Sequence, residues 1–169
     1  MSFKDHFSAQ ATDYARFRPD YPAGLFAWLA GIAPMRDTAW DCGTGSGQAA
    51  VGLAAHFRHV IATDPSRRQL DHAEPHPRVE YRQASAEVSL LDTASVDLVT
   101  VAQAIHWFEL EKFYAEAKRV LKPGGVIAAW TYTLLDVEAG IDELLTDFYR
   151  NVVGPYWPPE RKMVDDRYR

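Results

Sequence analysis

The sequence has almost no cysteine, no basic block and no long apolar run, and each absence removes a class of protein. With one cysteine in 169 residues, Cys42, no internal disulfide can form, and a reducing compartment such as the cytoplasm is expected. The 18 lysines and arginines are outnumbered by 23 aspartates and glutamates, for a net charge of -5. They are scattered rather than gathered on one face, which argues against nucleic acid as a partner. No apolar stretch approaches the length of a membrane span, and the N-terminal MSFKDHFSAQATDYARF carries acids and lacks the apolar centre of a leader, so a protein free of the membrane is expected. The 6 histidines stand apart from one another and no acid–histidine cluster recurs, which leaves no metal site to predict. No internal repeat or low-complexity tract is present.

What is present is a chain of single-domain length with 47% hydrophobic residues, enough for one core. Its most informative stretch is Ala39 to Ala50, AWDCGTGSGQAA, where a short apolar strand runs into Asp41 and then into Gly43, Gly45 and Gly47. Glycine turns sharply and puts no side chain between the backbone and a ligand. Three glycines between a strand and a helix have little expected use in packing, so a cofactor cradle is the reading. The run QAAVGLAAHF that follows has helical spacing and completes a strand, glycine turn, helix unit. Cys42, inside this turn, reads as a spacer rather than a nucleophile.

The rest of the chain alternates. Phe3, Phe7, Ala11 and Tyr14 line one face of an amphipathic helix over Phe3 to Arg16. Pro19 and Pro22 force an extended turn before a second helix at LFAWLAGIA, so two helices precede the first strand. HVIATD is a second strand, ending in Asp64, with PSRRQLDHA opening a helix in which Ser66 is the cap and Pro75 and Pro77 mark the end. A carboxylate at such a strand tip, about 20 residues past the glycines, is placed to accept hydrogen bonds from both hydroxyls of a ribose. VEYRQA is a third strand, and SVDLVTVA in SVDLVTVAQAIHWF is a near-continuous apolar run typical of a strand buried on both faces of a parallel sheet. Gln103, His106 and Trp107 follow at its carboxyl edge, where open α/β sheets bind ligands. Glu109 to Leu121 forms a helix closed by KPGG, GVIAAWTY a fifth strand and DVEAGIDELLTDFYRNVV a last helix, while GPYWPPERKMVDDRYR shows no clear periodicity. The pattern predicts an α/β fold with a mainly parallel sheet flanked by helices, its site at the carboxyl ends of the strands. At this level two cofactors remain open, since GSGQAA also counts as the G-x-G-x-x-A of a dinucleotide-binding turn with Asp64 on the ribose.

The arrangement D-x-G-x-G-x-G from Asp41 to Gly47 resembles the first motif of the class I S-adenosylmethionine-dependent methyltransferases. Asp64 stands where that family has its ribose-binding acid, AQAIHWF where it has its fourth-strand motif, and RVLKPGG where it turns from helix to fifth strand. More narrowly, F-x-x-x-A-x-x-Y-x-x-x-R-P-x-Y-P from Phe7 to Pro22, together with AQAIHWFE, resembles the branch that contains the trans-aconitate methyltransferase-like enzymes, which act on small molecules. One departure is Ser85 in QASAEV, where many relatives carry an acid toward the adenine amino group. The family also continues past strand five to an antiparallel sixth and seventh strand, which this sequence does not reach.

The resemblance implies a Rossmann-like domain over residues 1–169, divided into a helical lid over 1–34, a cofactor-binding core over 35–134 and the start of a substrate-covering segment over 135–169. It implies S-adenosylmethionine as cofactor, with Asp41, Gly43, Gly45 and Gly47 around its methionine part. Asp64 and Pro65 then lie at the ribose, Ser85 and Ala86 at the adenine edge, and Gln103 below the sulfonium. Tyr14 and Arg18 would close over the site, Arg18 facing a carboxylate. His106 is the one candidate general base, needed for a hydroxyl or amine acceptor and unnecessary for a carboxylate. With no sixth or seventh strand, the fifth becomes an exposed sheet edge through which two copies can pair. A cofactor-binding protein without catalysis and, more remotely, an NAD-binding oxidoreductase are the competing readings.

Overall fold

The computed structural model describes residues 20–132, 134, 136–166 and 168. The helix expected over Phe3 to Arg16, and with it Tyr14 and Arg18, lies outside the described residues. The chain forms two compact units, the first up to Ala129 and the second from Trp130.

In the first unit α1 (Ala23–Ile32) precedes β1 (Thr38–Cys42), α2 (Gln48–Ala54), β2 (His59–Asp64), α3 (Arg67–Asp71), β3 (Val79–Gln83), β4 (Val96–Ala102), α4 (Leu110–Val120) and β5 (Leu121–Trp130), which crosses the boundary by one residue. The strands form one sheet in the order β3-β2-β1-β4-β5. β1 pairs parallel with β2 and with β4, and β2 parallel with β3. The chain winds outward from β1 to β3 and then returns to place β4 on the other side of β1. The order therefore reverses between β1 and β4, the crevice where this kind of sheet takes its ligands.

Burial follows the apolar pattern. All seven residues of β4 are buried, as a strand covered on both faces requires. Trp40, Phe57, Leu98, Val99 and Phe113 are at most 1% exposed, and burial of each such side chain contributes on the order of 1.5–3 kcal/mol. The Trp40 indole N–H is satisfied inside this core by donation to Thr63 Oγ1 at 2.9 Å. α1 packs against α2 through Phe26, whose ring leaves no space for a side chain at position 52: a Cβ on Gly52 would stand 2.3 Å from Phe26 Cε2.

Two carboxylates, one fully buried and one half-buried, fasten the frame. Asp97, fully buried at the start of β4, accepts from the Asp37 and Thr38 amides at 3.1 and 3.0 Å and pairs with Lys122 of β5 at 2.9 Å. A charge removed from water needs such partners. Glu116 of α4 accepts from the backbone and hydroxyl of Ser89 and from Arg119, which ties the β3–β4 connection to the helix. The Arg119 guanidinium, followed by the Ser89 donors, brings its carboxyl down to about 2.

Some boundaries differ from expectation. α3 stops at Asp71, ahead of Pro75 and Pro77. β5 begins at Leu121 rather than Gly125 and runs through Pro123, which an edge strand tolerates because its missing N–H is not needed for a ladder bond. Gly124, with φ 79°, supplies the turn inside it. None of the ten residues of β5 is buried.

The second unit holds α5 (Ala139–Asp147), continued by a π-helical turn (Phe148–Val153) and a 3₁₀ turn (Gly154–Tyr156), and α6 (Arg161–Asp165). The last is a helix in the stretch where no periodicity was legible. Arg161 organises this unit: its guanidinium lies 5.4 Å from the Tyr149 ring centre and 5.1 Å from that of Trp157, and its Nε donates to Tyr149 Oη at 2.7 Å.

Candidate functional site

The glycine turn leaves β1 at the crevice and is held from three sides. The amides of Gly43 and Thr44 both donate to the Thr63 carbonyl of β2, at 2.9 and 3.0 Å. The Gly45 amide donates to Asp64 Oδ2 at 2.9 Å, and the Ser66 amide donates to Asp64 Oδ1 at 2.8 Å. Asp64 thus clamps the middle of the glycine turn and the start of α3 together. It is 8% exposed rather than open on the surface.

All three glycines have positive φ, at 68° for Gly43, 57° for Gly45 and 86° for Gly47, where a side chain is strained. Their surroundings differ. A Cβ at Gly43 would lie 2.8 Å from Ala104 Cβ, and one at Gly47 would lie 2.2 Å from Tyr81 Oη. The expectation that these glycines have little use in packing is therefore corrected for two of them: the chain leaving β4 and the Tyr81 ring press against the turn. At Gly45 the nearest atom is Gln69 Oε1 at 4.0 Å. This is the bare, open stretch of backbone, beside a carboxylate, that a bulky polar ligand can approach, and it fits a nucleoside carrying an amino-acid tail.

Asp41 is fully buried and accepts from Thr44 Oγ1 at 2.5 Å and from Thr100 Oγ1 at 2.8 Å. It therefore works on the turn from beneath, through Thr44. Neither threonine was legible as a site residue: Thr100 sits in an apolar strand, 59 residues from its partner. Cys42 next door is buried, and burial followed by the Asp41 charge pushes its thiol well above the usual range, as a spacer requires.

The remaining expected residues surround the same sheet edge. Pro65 is half-buried, and its carbonyl accepts from Gln83 Nε2 at 2.9 Å. Ser85 bridges to Val88 in a tight antiparallel turn, and Ala86 beside it is 5% exposed. Gln103, directly past β4, has φ 60°, a conformation that costs a non-glycine residue about 1–3 kcal/mol and that clusters at functional sites. His106 and Trp107 fall in a 3₁₀ turn (Ile105–Trp107) beyond the strand, half-buried, with ring centres 4.8 Å apart. Among the described residues no group of histidine, cysteine and acidic side chains could hold a metal ion, and no helix is long and apolar enough to cross a membrane.

Residues 40–129 match the family described as methyltransferase domain. A Dictyostelium discoideum protein described as a methyltransferase is 42% identical, over 98% of this chain and 65% of its own length. A Saccharomyces cerevisiae protein described as an S-adenosylmethionine-dependent methyltransferase is 30% identical, over 73% of this chain and 45% of its own. Among solved structures, an Anaeromyxobacter dehalogenans protein described as a type II methyltransferase superposes with a TM-score of 0.82 at 49% identity, covering 90% of this chain and 65% of that one. The chain thus spans less than two thirds of the length of these relatives. The sheet order, the left-handed glycine turn and the acid at the tip of β2 agree with these matches: the chain belongs to the class I S-adenosylmethionine-dependent methyltransferases.

Proposed function

We propose that this protein transfers the methyl group of S-adenosylmethionine to a small-molecule acceptor, with a carboxylate as the favoured acceptor. The observation that carries this reading is the open backbone at Gly45 beside the Asp64 carboxylate. The acceptor class rests on the resemblance of Phe7 to Pro22 and of AQAIHWFE to the trans-aconitate methyltransferase-like branch.

The cofactor supplies an electrophilic methyl group, so the protein's task is to align an acceptor with it and keep water out. In this reading Asp64 accepts from the ribose hydroxyls while holding the Gly45 amide, and Asp41 keeps the turn in shape through Thr44. Pro65, Ser85 and Ala86 border the base, and Gln103 forms the floor near the reacting group. Tyr14 and Arg18, which lie outside the described residues, are by the family resemblance the candidates for contact with the cofactor and with an acceptor carboxylate. His106 stands by as proton acceptor for a hydroxyl or amine and is idle with a carboxylate. Pairing of two copies along β5, the edge strand, is the oligomeric form this reading favours.

Isothermal titration tests it. S-adenosylmethionine and S-adenosylhomocysteine should bind the parent chain, and Asp64→Ala should weaken both at least tenfold, because hydrogen bonds to a charged group contribute about 1.5–3 kcal/mol each. Since Asp64 also clamps Gly45 and Ser66, circular dichroism must accompany the titration. Binding of NAD in place of S-adenosylmethionine would reject the proposal.

A further inference from the structure

The turn that follows β3 reaches across to the helix that follows β4. Ser85 and Val88 close this turn as an antiparallel bridge, and Glu87 stands at its tip, half-buried. Its Oε1 accepts from the Glu109 backbone amide at 2.9 Å, at the point where α4 begins and where the Glu109 side chain makes no cap of its own. Negative charge is favourable at that end of a helix. The carboxylate also lies within electrostatic reach of the end of β1, for the Cys42 thiol, raised first by burial and next by Asp41, is raised further by Glu87. The bond to Glu109 holds more than the helix. The chain between β4 and α4 carries Gln103, His106 and Trp107, and it also presses on the glycine turn: a Cβ at Gly43 would fall 2.8 Å from Ala104 Cβ and 3.0 Å from Phe108 Cζ. One end of this chain is fixed by the buried strand β4, and Glu87 clamps the other.

We infer that Glu87 is a positioning residue for methyl transfer, acting through the Glu109 amide rather than on the cofactor, and that it couples the two edges of the cofactor site. This rests on the reading that the glycine turn holds S-adenosylmethionine, with Ser85 and Ala86 at the base and Gln103 near the reacting group. Ser85, Ala86 and Glu87 share one tight turn, so a base that settles against the first two fixes the third. The turn is anchored on its far side as well, since Ser89 is bonded to Glu116 of the same helix. The constraint therefore passes through the 2.9 Å bond to the chain over 103–109, which begins at the strained Gln103, φ 60°. Alignment of a methyl donor with its acceptor tolerates little slack at that edge. Coupling of this kind is reciprocal: whatever loosens the chain over 103–109 also weakens the hold on the base. Glu87 escapes motif reading because its partner is a backbone amide 22 residues away, and a backbone amide leaves no trace in the sequence.

The test is amide hydrogen exchange read residue by residue on the parent and on Glu87→Ala, each free and loaded to the same occupancy with adenosine, which carries the base and ribose but no amino-acid tail to reach 103–109 directly. In the parent, adenosine should slow exchange of the amides over 104–109 about fivefold or more. In Glu87→Ala that slowing should vanish, while slowing at Gly43 to Gly45 persists. Glu87→Gln keeps a carbonyl oxygen at the same reach and should restore the effect. Equal slowing over 104–109 in the parent and in Glu87→Ala overturns the inference and leaves Glu87 a cap of α4. Should Glu87→Ala not fold, Glu87→Met serves in its place, because it keeps the apolar stem and removes both acceptor oxygens. A parent that binds adenosine with no change over 104–109 defeats this inference alone, whereas a parent that binds neither adenosine nor S-adenosylmethionine defeats the cofactor reading along with it.

Discussion

β4 and β5 are neighbours in one sheet and could hardly be more different. β4 buries all seven of its residues, lies beside β1 at the crevice and delivers Thr100 to Asp41 and Gln103 to the site. β5 buries none of its ten, takes a proline and two glycines into its length, and carries no expected site residue. The strand that packs on both faces is the one that can place a side chain to a fraction of an ångström, because its own position is set by contacts on every side. An edge strand has no such surroundings, and what it offers instead is unpaired backbone.

The sharpest way to break this contrast is to truncate one apolar side chain in each strand. Leu98→Ala in β4, where the side chain is fully buried, should cost about 2–5 kcal/mol in urea unfolding. Ile127→Ala in β5, where 37% of the residue is exposed, should cost less than about 1.5 kcal/mol. Equal losses would mean that β5 is buried in solution by something else.

A second comparison uses glycines of the same conformation. Gly47 and Gly124 have φ of 86° and 79°, but a Cβ at Gly47 meets the Tyr81 ring, whose hydroxyl is held by the Glu74 carbonyl at 2.8 Å, while one at Gly124 meets nothing within 4 Å. Gly124→Ala should cost only the backbone strain, about 1 kcal/mol. Gly47→Ala should cost that plus displacement of Tyr81, about 2–3 kcal/mol in all, and should weaken S-adenosylhomocysteine binding besides. Calorimetry and titration read the two effects separately; a smaller loss at Gly47 would show that Tyr81 yields easily.

The smallest effect concerns the fastening of the connection that leads into β4. Glu116 titrates near 2 in the folded chain against an ordinary 4.5. A lowered carboxyl contributes stability that is complete above the ordinary value and is lost as pH falls through the folded one. The melting temperature of the parent should therefore drop between about pH 4.5 and 2 more steeply than that of Glu116→Gln, and the two curves should converge across that window. Parallel curves would show that the Ser89 and Arg119 bonds to Glu116 do not persist in solution.

Much of this molecule was legible in advance because its signals are local. A near-continuous apolar run such as VDLVTVA needs cover on both faces, and a glycine turn between such a strand and a helix admits few structures. An acid at the tip of the next strand has one direction in which to point. The limits of β5 and the helix at Arg161–Asp165 were harder, since edge strands and short helices are decided by what lies beside them rather than by their own periodicity.

By itself the sequence determined the alternation of strands and helices, the glycine turn, and the acid at the tip of the strand that follows it, all set by spacing along the chain. Tertiary structure alone decided that Gly43 and Gly47 are crowded while Gly45 is open, and that Asp41 is held by a threonine 59 residues away. The physical reason is that burial and hydrogen-bond partnership are properties of neighbours in space, and the sheet order β3-β2-β1-β4-β5 brings together residues that no local pattern connects.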